Sequence, residues 1–465
     1  MALTTIKTAA IADDAVTEDK LANAINTERT ANTAKTTNAT HTGEVTGSGA
    51  LTIADNAVTL AKMAGGTDGQ IITYDASGDP VAVGPGTDGQ VLTSTGAGSP
   101  PAFEAIPASG KAHNLVINGA MQVAQRGTSA SVTGGYLTVD RYETATGGVD
   151  EAPTQAQADV ASGTTPYTLG FRKCLKVTNG NQTGGAGAGD NIIALRYHAE
   201  AQDIANSGWN YTSTSSYVTL SFWIKSSVAQ SFQGVLVSSD GTSQIYPFAT
   251  GSLSADTWTK ITKTISGNSN LTFDNNNEKG LTLEIVGYSG SSYATDSATI
   301  NAWQAKTSGN QFGRASTSTW YTTNDATLEI TGVQLEVGDS ASDFAIESYA
   351  ETLRKCQRYY YVLVNGNQQA LGDGLFWSAS EIGFITRFPV EMRASPDFDQ
   401  SYGTDYFKAE GGGYSDGISN YWRSQYKSTR GTNHWLPADT SGTTGLSLTI
   451  FSNNASAKLA YSAEL

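Results

Sequence analysis

Residues 217–225 read YVTLSFWIK, and the two sides of this run differ. Val218, Leu220, Phe222 and Ile224 share one face, and Tyr217, Thr219, Ser221 and Trp223 share the other. A period of two predicts a strand with one side turned to a core. A second run, ATLEITGVQLEVG at 326–338, keeps the period but changes phase: Leu328 and Ile330 are even, whereas Val333, Leu335 and Val337 are odd. The slip falls at Thr331-Gly332, where one extra residue in a β-bulge would produce it. TWTKITKTI from Thr257 and GLTLEIVGY from Gly280 have strand length and turn-rich borders. Many short antiparallel strands over residues 108–347 predict a sandwich or jelly roll.

Composition agrees with a mainly β chain. Among 465 residues there are 50 Gly, 21 Tyr and 8 Trp, and only 15% are charged. Aromatic and β-branched residues favour strands, while Gly and Asn supply turns. The net charge of −15 argues against gripping nucleic acid through its phosphates, which takes clustered Lys and Arg. No apolar run approaches the length needed for membrane insertion. Met1–Thr5 shows no basic region leading into an apolar core, so the expectation is a chain made in a cytoplasm. Cys174 and Cys356 are too few and too far apart for a disulfide framework, and His41, His113, His198 and His434 show no metal-ligand spacing with them.

The texture changes near residue 108. Before it, IADDAVTEDKLA at 11–22 recurs as IADNAVTLAKMA at 53–64, and GTDGQIITYDASGDP at 66–80 recurs as GTDGQVLTSTGAGSP at 86–100. Repeats this short cannot each bury a core. The first pair predicts short helices capped by Thr17 and Thr59, with Leu21 and Ile25, or Leu60 and Met63, as a narrow apolar stripe. The stretch NTERTANTAKTTNATHTGEVTGSG at 26–49 has almost no large apolar residue and is expected to be thin or disordered. Either residues 1–107 are a flexible linker, or identical chains wrap around one another and share the stripe.

A joint follows the sandwich. SYAETLRKCQRYYYV at 348–362 places Ser348 and Glu351 in a capping-box relation, with Leu353, Cys356 and Tyr360 at helical spacing. A short helix should therefore hand over to a strand at Tyr361. The remainder, 348–465, reads as a smaller antiparallel β domain. In EIGFITRFPVEMRASP, Ile382, Phe384, Phe388, Val390 and Met392 fall on one face. The end reads as a hairpin, LSLTIF turning at Ser452-Asn453-Asn454 into Leu459, Tyr461, Ala463 and Leu465.

Several stretches together resemble a known family. NLVINGAMQVAQRG at 114–127 followed by GGYLTVDRY at 134–142 resembles the opening of the carbohydrate-module-like jelly roll of bacteriophage tail fibres. LEITGVQLEVGDSASDF resembles that domain's closing strand, LRKCQRYYYV the segment after it, and FPVEMRASP a motif of fibre tip domains. Tyr142 stands where Trp is common in the family. The resemblance implies an elongated homotrimer in which 1–107 attaches to a phage tail or adaptor protein and forms a thin shaft, 108–347 is the body, and 348–465 is the receptor-binding tip. Such a chain would reside in the virion after assembly in the bacterial host. The motif residues Asn118, Gly119, Arg126, Gly127, Asp140, Arg141 and Tyr142 are read as scaffold: Asn118-Gly119 as a turn or bulge, and Asp140-Arg141 as a source of a charge-assisted pair.

Candidate binding chemistry lies in YSDGISNYWRSQYKSTRGTNHW at 414–435. Sugar rings pack apolar C–H faces on Trp and Tyr while polar side chains bond the hydroxyls. Tyr414, Asp416, Tyr421, Trp422, Arg423, Tyr426, His434 and Trp435 supply both, and the poor alternation suggests loops. The same rings would also serve as a core between strands or subunits. A second group, Trp209, Tyr211, Trp303, Trp320 and Tyr321, lies in the sandwich. The expected function is adsorption to a host surface glycan, lipopolysaccharide or capsule, without catalysis. One alternative is a polysaccharide depolymerase using paired carboxylates such as Asp274 and Glu278 or Asp397 and Asp399. Another is a non-adhesive structural fibre. No cofactor is expected; Asp274, Asn276 and Glu278 alternate in a way that suits calcium, but Lys279 and Ile285 break the EF-hand template.

Overall fold

The strand Tyr217–Ser226 forms as its alternation predicts, with Val218, Leu220, Phe222 and Ile224 buried. The structure is a computed structural model that describes residues 23–36, 45–46, 52–53, 65–105, 114–182, 184, 189–439 and 441–465. The chain divides into two units between residues 106 and 107.

In the first unit a helix spans Asn23–Thr36, covering part of the stretch expected to lack structure. It is polar nearly all round, and its Ile25 is exposed. The expected helices at 11–22 and 53–64 lie outside the described residues. The repeat at 66–80 and 86–100 proves to be one turn built twice. In each copy a Gln side chain accepts a backbone N–H, Thr67 N to Gln70 Oε1 and Thr87 N to Gln90 Oε1, both at 2.7 Å. Each turn leads into a hairpin, Ile71–Tyr74 with Pro80–Val83 and Gln90–Thr93 with Ala102–Ala105. The hairpins leave Ile72, Tyr74 and Leu92 exposed.

The second unit holds an antiparallel sandwich. One sheet runs Thr259–Ser266, Tyr217–Ser226, Thr327–Val337, Lys173–Thr178, Thr154–Asp159, Ser129–Ser131; the other runs Gln304–Ala305, Gln244–Ser252, Ser231–Ser238, Lys279–Ser289, Ile192–Glu200, Tyr142–Gly147. Leu328, Ile330, Val333 and Leu335 meet Leu195, Leu236, Phe248, Leu283 and Ile285 in the core. The predicted bulge is present: Ser221 pairs with Gln334 and Trp223 with Thr331, leaving Gly332 and Val333 opposite Phe222. Gly332 has φ 63°, and a β-carbon there would run into the Phe171 ring. The other face of Tyr217–Ser226 is also covered. Thr219 and Ser221 are buried, and Trp223 packs with Phe171, Trp258 and Phe344. Cys174 and Cys356 are free and buried.

The capping box at Ser348 and Glu351 starts the helix Tyr349–Cys356, which leads to the strand Tyr360–Asn365. Beyond it lie a sheet of Tyr360–Asn365, Lys458–Ser462, Asp397–Ser401, and a larger one ordered Tyr414–Ile418, Phe407–Gly411, Ser447–Ser452, Ala370–Ser378, Glu381–Arg387, Gly431–Pro437, Lys427–Ser428. The expected terminal hairpin does not form. Ser447–Ser452 pairs with Ala370–Ser378 and Phe407–Gly411, whereas Lys458–Ser462 pairs with Tyr360–Asn365 and Asp397–Ser401. The five residues between them cross from one sheet to the other, and the two sheets close a core of Phe376, Phe384, Phe407, Trp422, Ile450 and Tyr461.

The family-like motif sits at the junction of sandwich and C-terminal domain. Residues 114–120 are turns and bends, with Asn118-Gly119 in a turn as read from the sequence. Asn118 adopts φ 59°, and its side chain bonds the Val123 and Asp140 carbonyls at 2.9 and 3.0 Å. Gly119 comes so close to the neighbouring strand that an added β-carbon would lie 2.0 Å from the Val333 carbonyl oxygen. Asp140 and Arg141 do not pair with each other. Asp140 accepts from the Gln125 backbone N–H at 2.9 Å and faces Arg126 at 3.9 Å; burial pushes its carboxyl up to about 6, against the pull of Arg126. Arg141 pairs with Glu464 and donates to the His198 carbonyl at 2.6 Å. Arg126 reaches the same Glu464 at 3.2 Å. The guanidiniums also lie over tyrosine rings, Arg126 on Tyr360 at 3.5 Å and Arg141 on Tyr359 at 3.4 Å. Gly127 has φ 131°, and Tyr142 begins its strand with its ring buried against Tyr197. Arg358 binds Glu200 through two bonds of 2.7 Å, and Arg393 caps the Ala463 and Glu464 carbonyls at 2.7 and 2.9 Å. The motif therefore joins the two β domains, a larger role than closing the first strands.

Candidate functional site

The stretch expected to be loops is largely strand. Gly431–Pro437 alternates outward and buried side chains, and Tyr414–Ile418 lies at the far edge of the same sheet. That alternation sorts the eight candidate residues. His434 points inward and is fully buried, stacked on Phe384 at 4.3 Å and bonded to the Tyr461 hydroxyl at 2.9 Å. Desolvation pulls its imidazole down to about 3, so it is neutral in the fold. Trp422 is 1% exposed and meets Phe384 and Phe407 edge-on. Both residues are core, which corrects their reading as glycan contacts. Tyr414 packs on Phe376 at 4.9 Å, and Asp416 beside it bonds the Gly417 N–H. These two sit on the edge strand opposite Trp435.

Tyr421, Arg423, Tyr426 and Trp435 remain on the outer side. Arg423 bridges to Trp435 through the backbone, and its guanidinium lies 5.3 Å from the Trp435 ring and 4.8 Å from Tyr421. Trp435 and Tyr426 line an open groove of about 410 Å³ with Trp377, Glu381, Gln425 and Asn433. Trp377 was not among the sequence candidates. It is the extra residue of a β-bulge, since Phe376 pairs with Ile382 and Ser378 with Glu381. Bulges re-aim side chains, and this one turns Trp377 outward, 57% exposed. The space it occupies exists because position 383 is glycine: a β-carbon there would lie 2.1 Å from Trp377 Nε1. Gly383 is also the register partner of Trp435, so the two indoles flank one bare backbone position.

The polar rim is held in place. Asn433 Oδ1 accepts the Tyr426 N–H at 2.8 Å and the Gln425 N–H at 3.2 Å, so Asn433 positions Tyr426, which is 69% exposed. Glu381 stands at the end of the Ala370–Ser378 and Glu381–Arg387 hairpin. A second depression of about 540 Å³ shares Trp377 and adds Asp373, Leu375, Ile385, Glu410 and Thr449. The arrangement offers flat apolar faces beside amide and carboxylate groups on rigid strands, suited to a ring with one apolar face and polar edges.

The other candidates have structural partners. Trp209, Trp320 and Tyr321 are buried in the sandwich, with Tyr211 and Trp303 packed against the same core. Asp399 accepts from Tyr360 at 2.7 Å and Lys458 at 2.6 Å, and Asp397 pairs with Lys427. Glu278 faces Arg393 at 3.6 Å, and Asp274 donates its N–H to Asp240.

No protein-family model matches the chain, and no curated protein matches it. Solved structures overlap it in part. The enzymatically active domain of bacteriophage CBA120 tailspike protein 4 superposes with a TM-score of 0.25 and 9% identity over 48% of this chain and 21% of that one, so the chain spans about a fifth of that protein's length. A family 11 carbohydrate-binding module from Clostridium thermocellum, in complex with a β-1,3-1,4-mixed-linked tetrasaccharide, gives 0.22 and 11% over 45% of this chain and 95% of the module. The N-terminal cellulose-binding domain of Cellulomonas fimi β-1,4-glucanase C gives 0.23 and 8% over 47% and 99%.

Proposed function

We propose that the C-terminal domain binds a surface glycan through the groove of Trp377, Tyr426 and Trp435, without bond chemistry. The observation that carries this reading is the set of three aromatic side chains lining one open groove on a sheet face, with Glu381, Gln425 and Asn433 among them. Together with the ordered family-like motifs, it supports a phage tail fibre that adsorbs a virion to lipopolysaccharide or capsule. In that reading the chain is a homotrimer joined through residues 1–107 to a tail or adaptor protein. Three weak sites acting on a repetitive polymer gain avidity without new contacts.

The test uses the purified full chain against immobilised lipopolysaccharides and capsules from a bacterial panel. Trp377→Ala and Tyr426→Ala are each expected to weaken retention about tenfold, as loss of a central aromatic anchor does, with native mass unchanged. Retention unaltered in both variants removes the groove as the site. Progressive shortening of the polymer would replace adhesion with depolymerisation, and loss of native mass in the variants would reassign the rings to a subunit contact.

A further inference from the structure

The charges around the groove are one-sided. Glu381 is the charged side chain that lines it, the adjoining depression adds Asp373 and Glu410, and neither is lined by Lys or Arg. Four carboxylates of this domain's surface have ion-pair partners: Glu391 with Arg430, Asp397 with Lys427, Asp399 with Lys458 and Glu410 with Lys408. Glu381 and Asp373 have no ion pair or side-chain hydrogen bond among the described residues. The rings beside Glu381 present π faces, which attract cations. Trp435 already holds one, the Arg423 guanidinium. Arg423 does not itself line the groove. An acidic sugar entering here would meet unmatched carboxylates in a chain of net charge −15.

Resting on the glycan reading above, the geometry points to a narrower ligand class: a sugar carrying a positively charged amine, its ammonium seated among Trp377, Tyr426 and Trp435 against the Glu381 carboxylate. A primary amine of an unacetylated amino sugar and a quaternary choline substituent share this chemistry. Either would gain both the π faces and the carboxylate, whereas an N-acetylated sugar keeps only the stacking.

Isothermal titration of the full chain with a glucosamine oligosaccharide and its fully N-acetylated counterpart decides the matter. The amine form is expected to bind at least about tenfold tighter, the scale of a desolvated cation on aromatic rings. Glu381→Gln is expected to reduce that preference below about threefold. Displacement by choline chloride would identify a quaternary ammonium as the better occupant; failure to displace would assign the primary amine. Equal or tighter binding of the acetylated form, or a preference that survives Glu381→Gln, overturns the inference. If bacterial polysaccharide binding still depends on Trp377 in that case, the glycan reading stands and only the amine selectivity falls. If Trp377→Ala changes no binding of any kind, both fall.

Discussion

Removing the Glu464 carboxylate tests whether the charged junction holds the two β domains together. Arg141 is completely buried, Glu464 is 6% exposed and Arg126 8%, so solvent does not replace the lost partner. In Glu464→Ala, Arg141 keeps the His198 carbonyl at 2.6 Å and the Tyr359 ring at 3.4 Å, with no carboxylate in contact. Breaking a buried pair from one side costs about 3–5 kcal/mol, because it strands a charge. For domains of this size that is a fall in midpoint on the order of 10 °C. Scanning calorimetry of the full chain reads it, and molar salt should change it little because the pair is shielded from water. The double variant Glu464→Leu with Arg141→Met should recover at least about half of the loss, since no stranded charge remains there. A fall below about 2 °C for Glu464→Ala, or a double variant no better than the single, would refute the electrostatic account and leave packing of Tyr359 and Tyr360 as the source of the junction.

Gly383→Ala should displace Trp377 and weaken glycan retention about as much as Trp377→Ala does, roughly tenfold; tryptophan fluorescence and retention on the same polysaccharide check it. Trp422→Ala should instead cost about 3–5 kcal/mol of stability by emptying the C-terminal core, seen as a lower denaturant midpoint. His434 gives a pH signature. Its folded value, about 3, lies below the ordinary 6.5, so the unfolded chain takes up the proton first. Its contribution is complete above pH 6.5 and is lost at roughly 1.4 kcal/mol per pH unit as pH falls from there towards 3. His434→Phe should flatten the decline in midpoint between about pH 6 and 4 by that slope; an unchanged slope sinks the assignment.

Much of the architecture was legible because a strand writes its environment at every second residue. Val218 to Ile224, the phase change at Gly332 and the Ser348 capping box were readable from local pattern alone. The terminal hairpin was misread for the opposite reason. Ser447–Ser452 and Lys458–Ser462 carry good alternation, but alternation does not say which sheet a strand joins. In the candidate binding stretch the burial of each ring was only partly legible. Period two separates His434 from Trp435 once Gly431–Pro437 is taken as a strand, yet the poor alternation of 414–435 as a whole suggested loops. Trp377 was missed because its exposure comes from a bulge and from a glycine on the next strand, neither marked within its own segment. Arg126, Arg141 and Glu464 lie more than 300 positions apart in pairing, beyond the reach of any local pattern.

The strand that enters the C-terminal domain and the strand that leaves it are neighbours. Tyr360–Asn365 pairs with Lys458–Ser462, and the Gly366 N–H donates to the Ala457 carbonyl at 2.8 Å, tying the two ends of the excursion between them. Everything from 366 to 457, groove included, departs from and returns to one spot; of the residues that grip the sandwich, Arg358 to Tyr360 and Glu464 lie outside that span, and Arg393, which meets Asn277 and Glu278, lies within it. Such a segment is a cassette. Another recognition surface whose ends meet at the same separation can be grafted between the paired strands; the sandwich beneath would keep its contacts with Arg358, Tyr359 and Glu464 and lose those of Arg393 unless an arginine is kept there.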